Sequence, residues 1–309
     1  MSADTEPTAP ATTPAKKSKG AVFVARTSST LSLWALVAGA LWFNSSYLFY
    51  ILVGVLGVLA FWEYLQMLGH RDKAFATLRT WSLVVAVGYL LACFYHFERF
   101  GRSGFGAVES VAIFLAVAGS FTVMLPFNID GRRTIERVTY AGFGFVYVMV
   151  LFTFLAHLLY LPHGSGPGEP TGGFYLLFVL AVTKFTDMGA YLTGTLIGKH
   201  KMIPHISPGK TWQGFFGAIG WAILGGFLVF WLFPAHLDIL TPLHVTILGV
   251  ILALTAVIGD LAESVLKRSL DVKDSGNVLP GIGGALDLID SLLFTAPIFY
   301  LYLRALQGS

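Results

Sequence analysis

Residues 243–263, LHVTILGVILALTAVIGDLAE, stay uncharged until Asp260. An apolar run of roughly 20 residues can cross a bilayer as an α-helix, and without a period-two alternation it does not read as a barrel strand. The run ends in Ser264–Asp290, SVLKRSLDVKDSGNVLPGIGGALDLID, which places three cations, four carboxylates and four glycines in a chain whose charged fraction is 12%. A further apolar run, 286–303, overlaps its end. Polar chemistry held between two membrane-crossing runs belongs at a membrane face. Carboxylates bind divalent metal, while cations and glycine-freed amides bind phosphate, and both jobs meet where a nucleoside triphosphate reacts.

The rest of the chain has the same character. Apolar residues make up 55% of it and mean hydropathy is +0.72, well above a soluble domain. Apolar runs cover 29–44, 47–68, 81–97, 108–127, 141–161, 173–197, 212–233, 243–263 and 286–303. The expected fold class is therefore an all-α integral membrane protein, a polytopic bundle of about nine transmembrane helices. The first run is short enough to lie in the interface instead.

Charge placement orients this bundle. With the N-terminus cytosolic, 16 of the 20 Lys and Arg residues fall on inner segments. These are Lys16, Lys17, Lys19, Arg26, Arg71, Lys73, Arg79, Arg132, Arg133, Arg137, Lys199, Lys201, Lys210, Lys267, Arg268 and Lys273. Only Arg99, Arg102 and Arg304 fall outside, and Lys184 lies within a span. This positive-inside bias puts the loops around 199–210 and 264–285 in the cytosol, where nucleotides are.

Three regions follow: a disordered basic cytosolic tail (1–28), a transmembrane scaffold (29–171) and a polar, catalytic transmembrane region (172–309). The tail carries Asp4 and Glu6 and no cleavage pattern follows the first apolar run, so a removable signal peptide is not expected. Cys93 is the only cysteine, which excludes an internal disulfide and a thiolate metal cluster. The net charge of +3 suits loop lysines facing anionic lipid rather than nucleic-acid binding. Glu63 and Glu109 of the scaffold half read as hydrogen-bonding within the bundle or at its rim, while His96, His157, His236 and His244 lack ligand spacing and belong near outer interfaces.

Two clusters carry the chemistry. Ser207-Pro208-Gly209-Lys210-Thr211 opens the seventh span, and a helix N-terminus with a lysine and two hydroxyls attracts phosphate; a plain N-cap beside an inner lysine is the alternative. Asp260, Glu263, Ser264 and Lys267 share one face of the eighth helix, and Asp287, Asp290 and Ser291 repeat that spacing in the ninth. Acidic residues in an apolar span face a wet cavity, a partner or a metal. Pairing of Asp260 or Glu263 with Lys267 competes with metal binding. Asp187 has Lys184 one turn before it, which leaves a self-neutralising pair and a direct role equally open.

These stretches resemble the phosphatidate cytidylyltransferases (CDP-diacylglycerol synthases). The C-terminal pattern of that family matches at Ser264, Lys267, Arg268, Lys273, Asp274, Gly276, Pro280, Gly281, Gly283, Gly284, Asp287 and Asp290. A second block, DMGAYLTGTLIGKHKMIPHISPGKTWQGFFG at 187–217, matches at Asp187, Gly189, Ala190, Tyr191, Gly198–Lys201, Ser207, Pro208, Lys210, Thr211, Trp212 and Gly214. The chain departs at Ile282, where the family usually has His, and at Leu288, where it usually has Arg. The resemblance implies transfer of a cytidylyl group from CTP to phosphatidate in the bilayer of a bacterial inner membrane, serving phospholipid synthesis. It implies Mg2+, with or without a second cation, held by Asp260 and Asp287, and Asp290 supporting them or adding a ligand. Asp260, Asp287, Asp290 and Lys267 are the catalytic candidates. Ser207, Lys210, Thr211, Ser264, Arg268, Lys273, Asp274, Gly281, Gly283 and Gly284 would bind the phosphates, and Asp187, Lys184 and Glu263 are further candidates. Expected partners are CTP, phosphatidate and membrane lipid, with a homodimer left open. Two other classes compete: a CTP-dependent lipid kinase, which would release CDP rather than pyrophosphate, and a transporter, disfavoured because the polar residues crowd one half.

Overall fold

A computed structural model describes residues 19–43, 45–69, 73–100, 105–161, 172–276, 278–279 and 283–308. Its elements are α1 (Lys19–Trp42), α2 (Ser46–Met67), α3 (Lys73–Phe100), α4 (Phe105–Met124), α5 (Arg132–Gly144), a π-helical segment (Phe145–Val150) and α6 (Leu151–Leu159). Then come α7 (Gly173–Ile197), the strands β1 (Lys201–Ile203) and β2 (Ser207–Thr211), α8 (Trp212–Leu232), a 3-10 turn (Pro234–His236), α9 (Pro242–Ser269) and α10 (Ala285–Gln307). The protein is an all-α polytopic bundle with one small hairpin.

Eight helices are long and apolar enough to cross a membrane, counting Arg132–Leu159 as one rod. They coincide with the second to ninth expected spans. The first expected span survives as a shorter apolar stretch, Ser28–Trp42. At 1.5 Å per residue it covers roughly 22 Å, against about 30 Å of hydrocarbon. Helix α1 also starts at Lys19, inside the segment expected to be a tail, because the apolar Ala21–Ala25 continues the helical run inward. Residues 1–18 of that tail lie outside the described residues.

The rod Arg132–Leu159 and helix α10 form the centre: 72% and 67% of their most apolar windows are buried, against 22% for Gly106–Met124 at the edge. Leu31, Trp42, Phe114, Leu196, Trp231 and Leu301 point outward, as lipid-facing side chains should. Small residues let the C-terminal helices approach closely. A Cβ at Gly225 would meet the Phe185 ring at 2.7 Å, and one at Gly259 would meet the Asp290 carbonyl at 2.7 Å. Between helices, Tyr64 donates to the Tyr140 carbonyl at 2.9 Å and Trp81 to the Leu115 carbonyl at 3.2 Å. Glu109 and His157 pair at 3.8 Å inside the apolar half, as a bundle contact.

Candidate active site

The site forms where α7, the hairpin, α9 and the start of α10 converge. Its first wall is local. The hairpin pairs Lys201 with Thr211 and Ile203 with Ser207, so Ser207 and Lys210 sit on a strand rather than in a helical first turn. Thr211 is the N-cap of α8, and its Oγ1 accepts the Gly214 amide at 3.1 Å. Accepting that amide leaves the hydroxyl proton free to donate, and Thr211, only 5% exposed, is among the residues lining the polar cavity described below. Gln213 steadies the turn before the hairpin, accepting the amides of Lys199 and His200 at 3.1 and 3.2 Å.

The second wall is the acidic face of α9. Asp260, Glu263, Ser264 and Lys267 share it as their spacing requires. Asp260 pairs with Lys210 across the cavity at 2.9 Å and accepts from Ser264 Oγ at 3.4 Å. Lys267 instead joins two carboxylates, Glu263 at 2.6 Å and Asp287 at 2.8 Å. The ion-pair alternative therefore holds for Glu263, whereas Asp260 faces the hairpin. Arg268 follows Lys267 by one residue, about 100° round the helix, where it is exposed and lines neither cavity.

The third wall is the glycine loop into α10. Gly283 has φ +120°, a left-handed conformation that side chains resist, and it exchanges backbone hydrogen bonds with Leu279. Asp287, three residues after the Gly284 cap, accepts the Gly284 amide at 2.8 Å and the Ser275 amide at 3.4 Å. The amides of Gly283 and Gly284, expected to approach phosphate, are thus held by Leu279 and Asp287. Gly281 lies outside the described residues, as does Ile282. Lys273 and Asp274 are exposed and line neither cavity described below.

The apolar half contributes one residue that sequence spacing did not reveal. Glu63, 1% exposed on α2, accepts the Leu286 amide at 3.0 Å, so a carboxylate from the second helix caps the last. Gly284 is needed beside it: a Cβ there would lie 2.6 Å from Glu63 Oε2 and 2.9 Å from the Gly276 nitrogen.

These walls enclose a polar cavity of about 680 Å³. Asp187, Asp260, Glu263, Asp287 and Asp290 face it with Lys201, Lys210, Lys267 and Ser207. Lys201, absent from the expected set, belongs to the cation wall. Asp290 is 8% exposed, and Ser291 Oγ donates to Asp187 at 3.3 Å. A second, mostly apolar cavity of about 360 Å³ lies between α1, α2, α6, α7 and α10 and shares Asp187 and Asp287 with the first.

Among the described residues, no three His, Cys, Asp or Glu side chains converge as a ready metal cluster. That does not disfavour Mg2+, which is usually held by one or two carboxylates plus waters and substrate phosphates. An all-oxygen donor set with more carboxylates than ammonium groups fits such an ion. Asp260 is the more accessible donor, its side chain 40% exposed; Asp287 is 19% exposed and already holds Lys267 and two amides.

Comparison with known proteins finds similarity along most of the chain. The Cytidylyltransferase family profile matches residues 24–306. The phosphatidate cytidylyltransferase of Brucella suis biovar 1 (strain 1330) is 33% identical over 274 residues, 88% of each chain. That of Bacillus subtilis (strain 168) is 31% identical over 259 residues, 82% of this chain and 88% of its own. The uncharacterized protein YnbB of Escherichia coli (strain K12) is 33% identical over 204 residues, 65% of this chain and 66% of its own. With a profile matched along nearly its whole length and relatives above 30% identity over as much as 88% of the chain, this chain belongs to the cytidylyltransferase family.

Proposed function

We propose that the protein transfers the cytidylyl group of CTP to phosphatidate, forming CDP-diacylglycerol and pyrophosphate for phospholipid synthesis in a bacterial cell membrane. The observation that carries this reading is the pairing of cavities: a polar one lined by three lysines and five carboxylates opens beside an apolar one. A water-soluble triphosphate and a lipid phosphate need such a junction. The cation bias of the loops supports a cytosolic mouth.

The chemistry asks for alignment and charge neutralisation rather than a covalent nucleophile. A phosphate oxygen of phosphatidate forms a bond to the α-phosphorus of CTP as the bond to the β-phosphate oxygen breaks, and pyrophosphate leaves with the electron pair. The acceptor phosphate is largely ionised near neutral pH, so no strong base is required. Lys201, Lys210 and Lys267 face the triphosphate. Substrate phosphates compete with Asp260 for Lys210, which frees the Asp260 carboxylate as they arrive. Asp260 and Asp287, which line the same cavity, would hold Mg2+, which when bound neutralises phosphate charge in the transition state. Asp287 also fixes the glycine loop against Lys267, while Asp187 and Asp290 line the cavity floor.

The test is turnover by purified protein of CTP labelled in the cytidine, with phosphatidate in mixed micelles. Labelled CDP-diacylglycerol and pyrophosphate in equal amounts are expected. Release of CDP with phosphorylation of an added lipid alcohol would instead make the protein a kinase.

A further inference from the structure

Lys184 is the one cation among the described residues that line the apolar cavity; the other charged groups there are Asp187 and Asp287, which also face the polar cavity. It therefore stands at the seam. Its ammonium donates to the Leu288 carbonyl of α10 at 3.0 Å and lies 3.4 Å from Asp187. The side chain is 31% exposed, so the charge reaches open space rather than being sealed between helices. A lysine within a membrane span is costly unless it faces a partner or a wet cavity; this one has a partner in Asp187, which also faces the polar cavity.

Its position is specific. Residue 288 is where the sequence pattern usually carries a cation and this chain has leucine. Lys184 comes from the neighbouring helix to the backbone of that same residue. A lipid phosphate whose acyl chains lie against Leu52, Leu56 and Leu176 would present its dianion here, at the polar end of an otherwise apolar wall. No lysine of the polar cavity lines that wall.

We propose that Lys184 binds the phosphate of the lipid acceptor where the two cavities meet, supplying from α7 the charge that Leu288 does not. This rests on the function proposed above. The ion pair with Asp187 and the Leu288 carbonyl hold the ammonium in place until the lipid arrives.

The experiment compares wild type, Lys184→Met, Lys184→Arg and Lys184→Met/Leu288→Arg, all full length in mixed micelles. It measures KM for phosphatidate and for CTP, together with equilibrium binding of labelled phosphatidate without CTP. Lys184→Met should raise KM for phosphatidate by about tenfold or more while KM for CTP stays within about twofold. Lys184→Arg should keep most of the activity, and Leu288→Arg should restore phosphatidate affinity to Lys184→Met. An unchanged KM for phosphatidate in Lys184→Met overturns the proposal. So does an equal loss for both substrates that Leu288→Arg does not repair, since Lys184 would then only brace α7 against α10. Binding separates the two levels of the reading. If wild type binds phosphatidate in a Lys184-dependent way yet makes no CDP-diacylglycerol, the site stands and the proposed reaction falls. If wild type turns over without needing Lys184, the site alone falls; if it neither binds nor turns over, both do.

Discussion

Lys267 is the node on which the acidic site balances, and removing its charge has a worked consequence. The ammonium lies 2.6 Å from Glu263 and 2.8 Å from Asp287, and Glu263 is 1% exposed. Lys267→Met keeps most of the side-chain volume and strands both carboxylates. Removing one partner of a buried ion pair costs about 3–5 kcal/mol, and two carboxylates on one ammonium place this change toward the upper end. In Lys267→Met/Glu263→Gln the deeper carboxylate is neutral as well, so about 2 kcal/mol should return. Turnover should not return: both variants should stay at least about a hundredfold below wild type, because the cation facing the triphosphate is gone. The assay pairs unfolding midpoints in defined micelles, followed by tryptophan fluorescence, with turnover of labelled CTP. A double variant no more stable than the single one would refute the charge balance. A single variant within about 1 kcal/mol of wild type would do the same.

Asp260→Asn should lower turnover by about a hundredfold or more, and chelation of divalent metal should stop wild type, with Mg2+ restoring it; an Asn variant keeping over half of wild-type turnover contradicts the assignment. Gly284→Ala should abolish activity because its methyl would push against Glu63 and the Gly276 nitrogen, whereas Gly220→Ala on α8, with nothing within 4 Å, should be silent. Equal activity in the two variants contradicts the role given to the glycine loop. The buried Cys93 leaves a quiet background for labelling. A cysteine at His205 should react with impermeant maleimide only from the cytosolic side and one at Ala235 only from outside; the reverse pattern overturns the orientation.

Much of this is legible in the sequence itself. Spans appear because a bilayer demands about 20 apolar residues, and all eight long helices lie where such runs occur. Asp260, Glu263 and Lys267 were readable as one face because helical spacing is local. Direction beyond one helix was not. Arg268 belongs to the matching motif yet lines neither cavity, and Thr211 caps α8 through the Gly214 amide, a contact visible only once the helix start is fixed. Asp260 finds Lys210 rather than Lys267, because the hairpin brings a lysine from some 50 residues upstream across the cavity. Glu63 was hidden most deeply. An acidic residue in an apolar helix gives no sign of its partner when that partner is an amide 223 residues away.

That separation also orders the assembly of the protein. Helix α2 leaves the ribosome while most of the chain is still unmade, and its Glu63 carboxylate waits without the Leu286 amide until α10, the last helix described, has been synthesised. The clasp between the first and last thirds of the chain closes only then. A truncated chain that stops short of residue 285 would hold every lysine named here and still lack a finished site. Exchange of the apolar half for another family member's would have to bring its own carboxylate to the same depth.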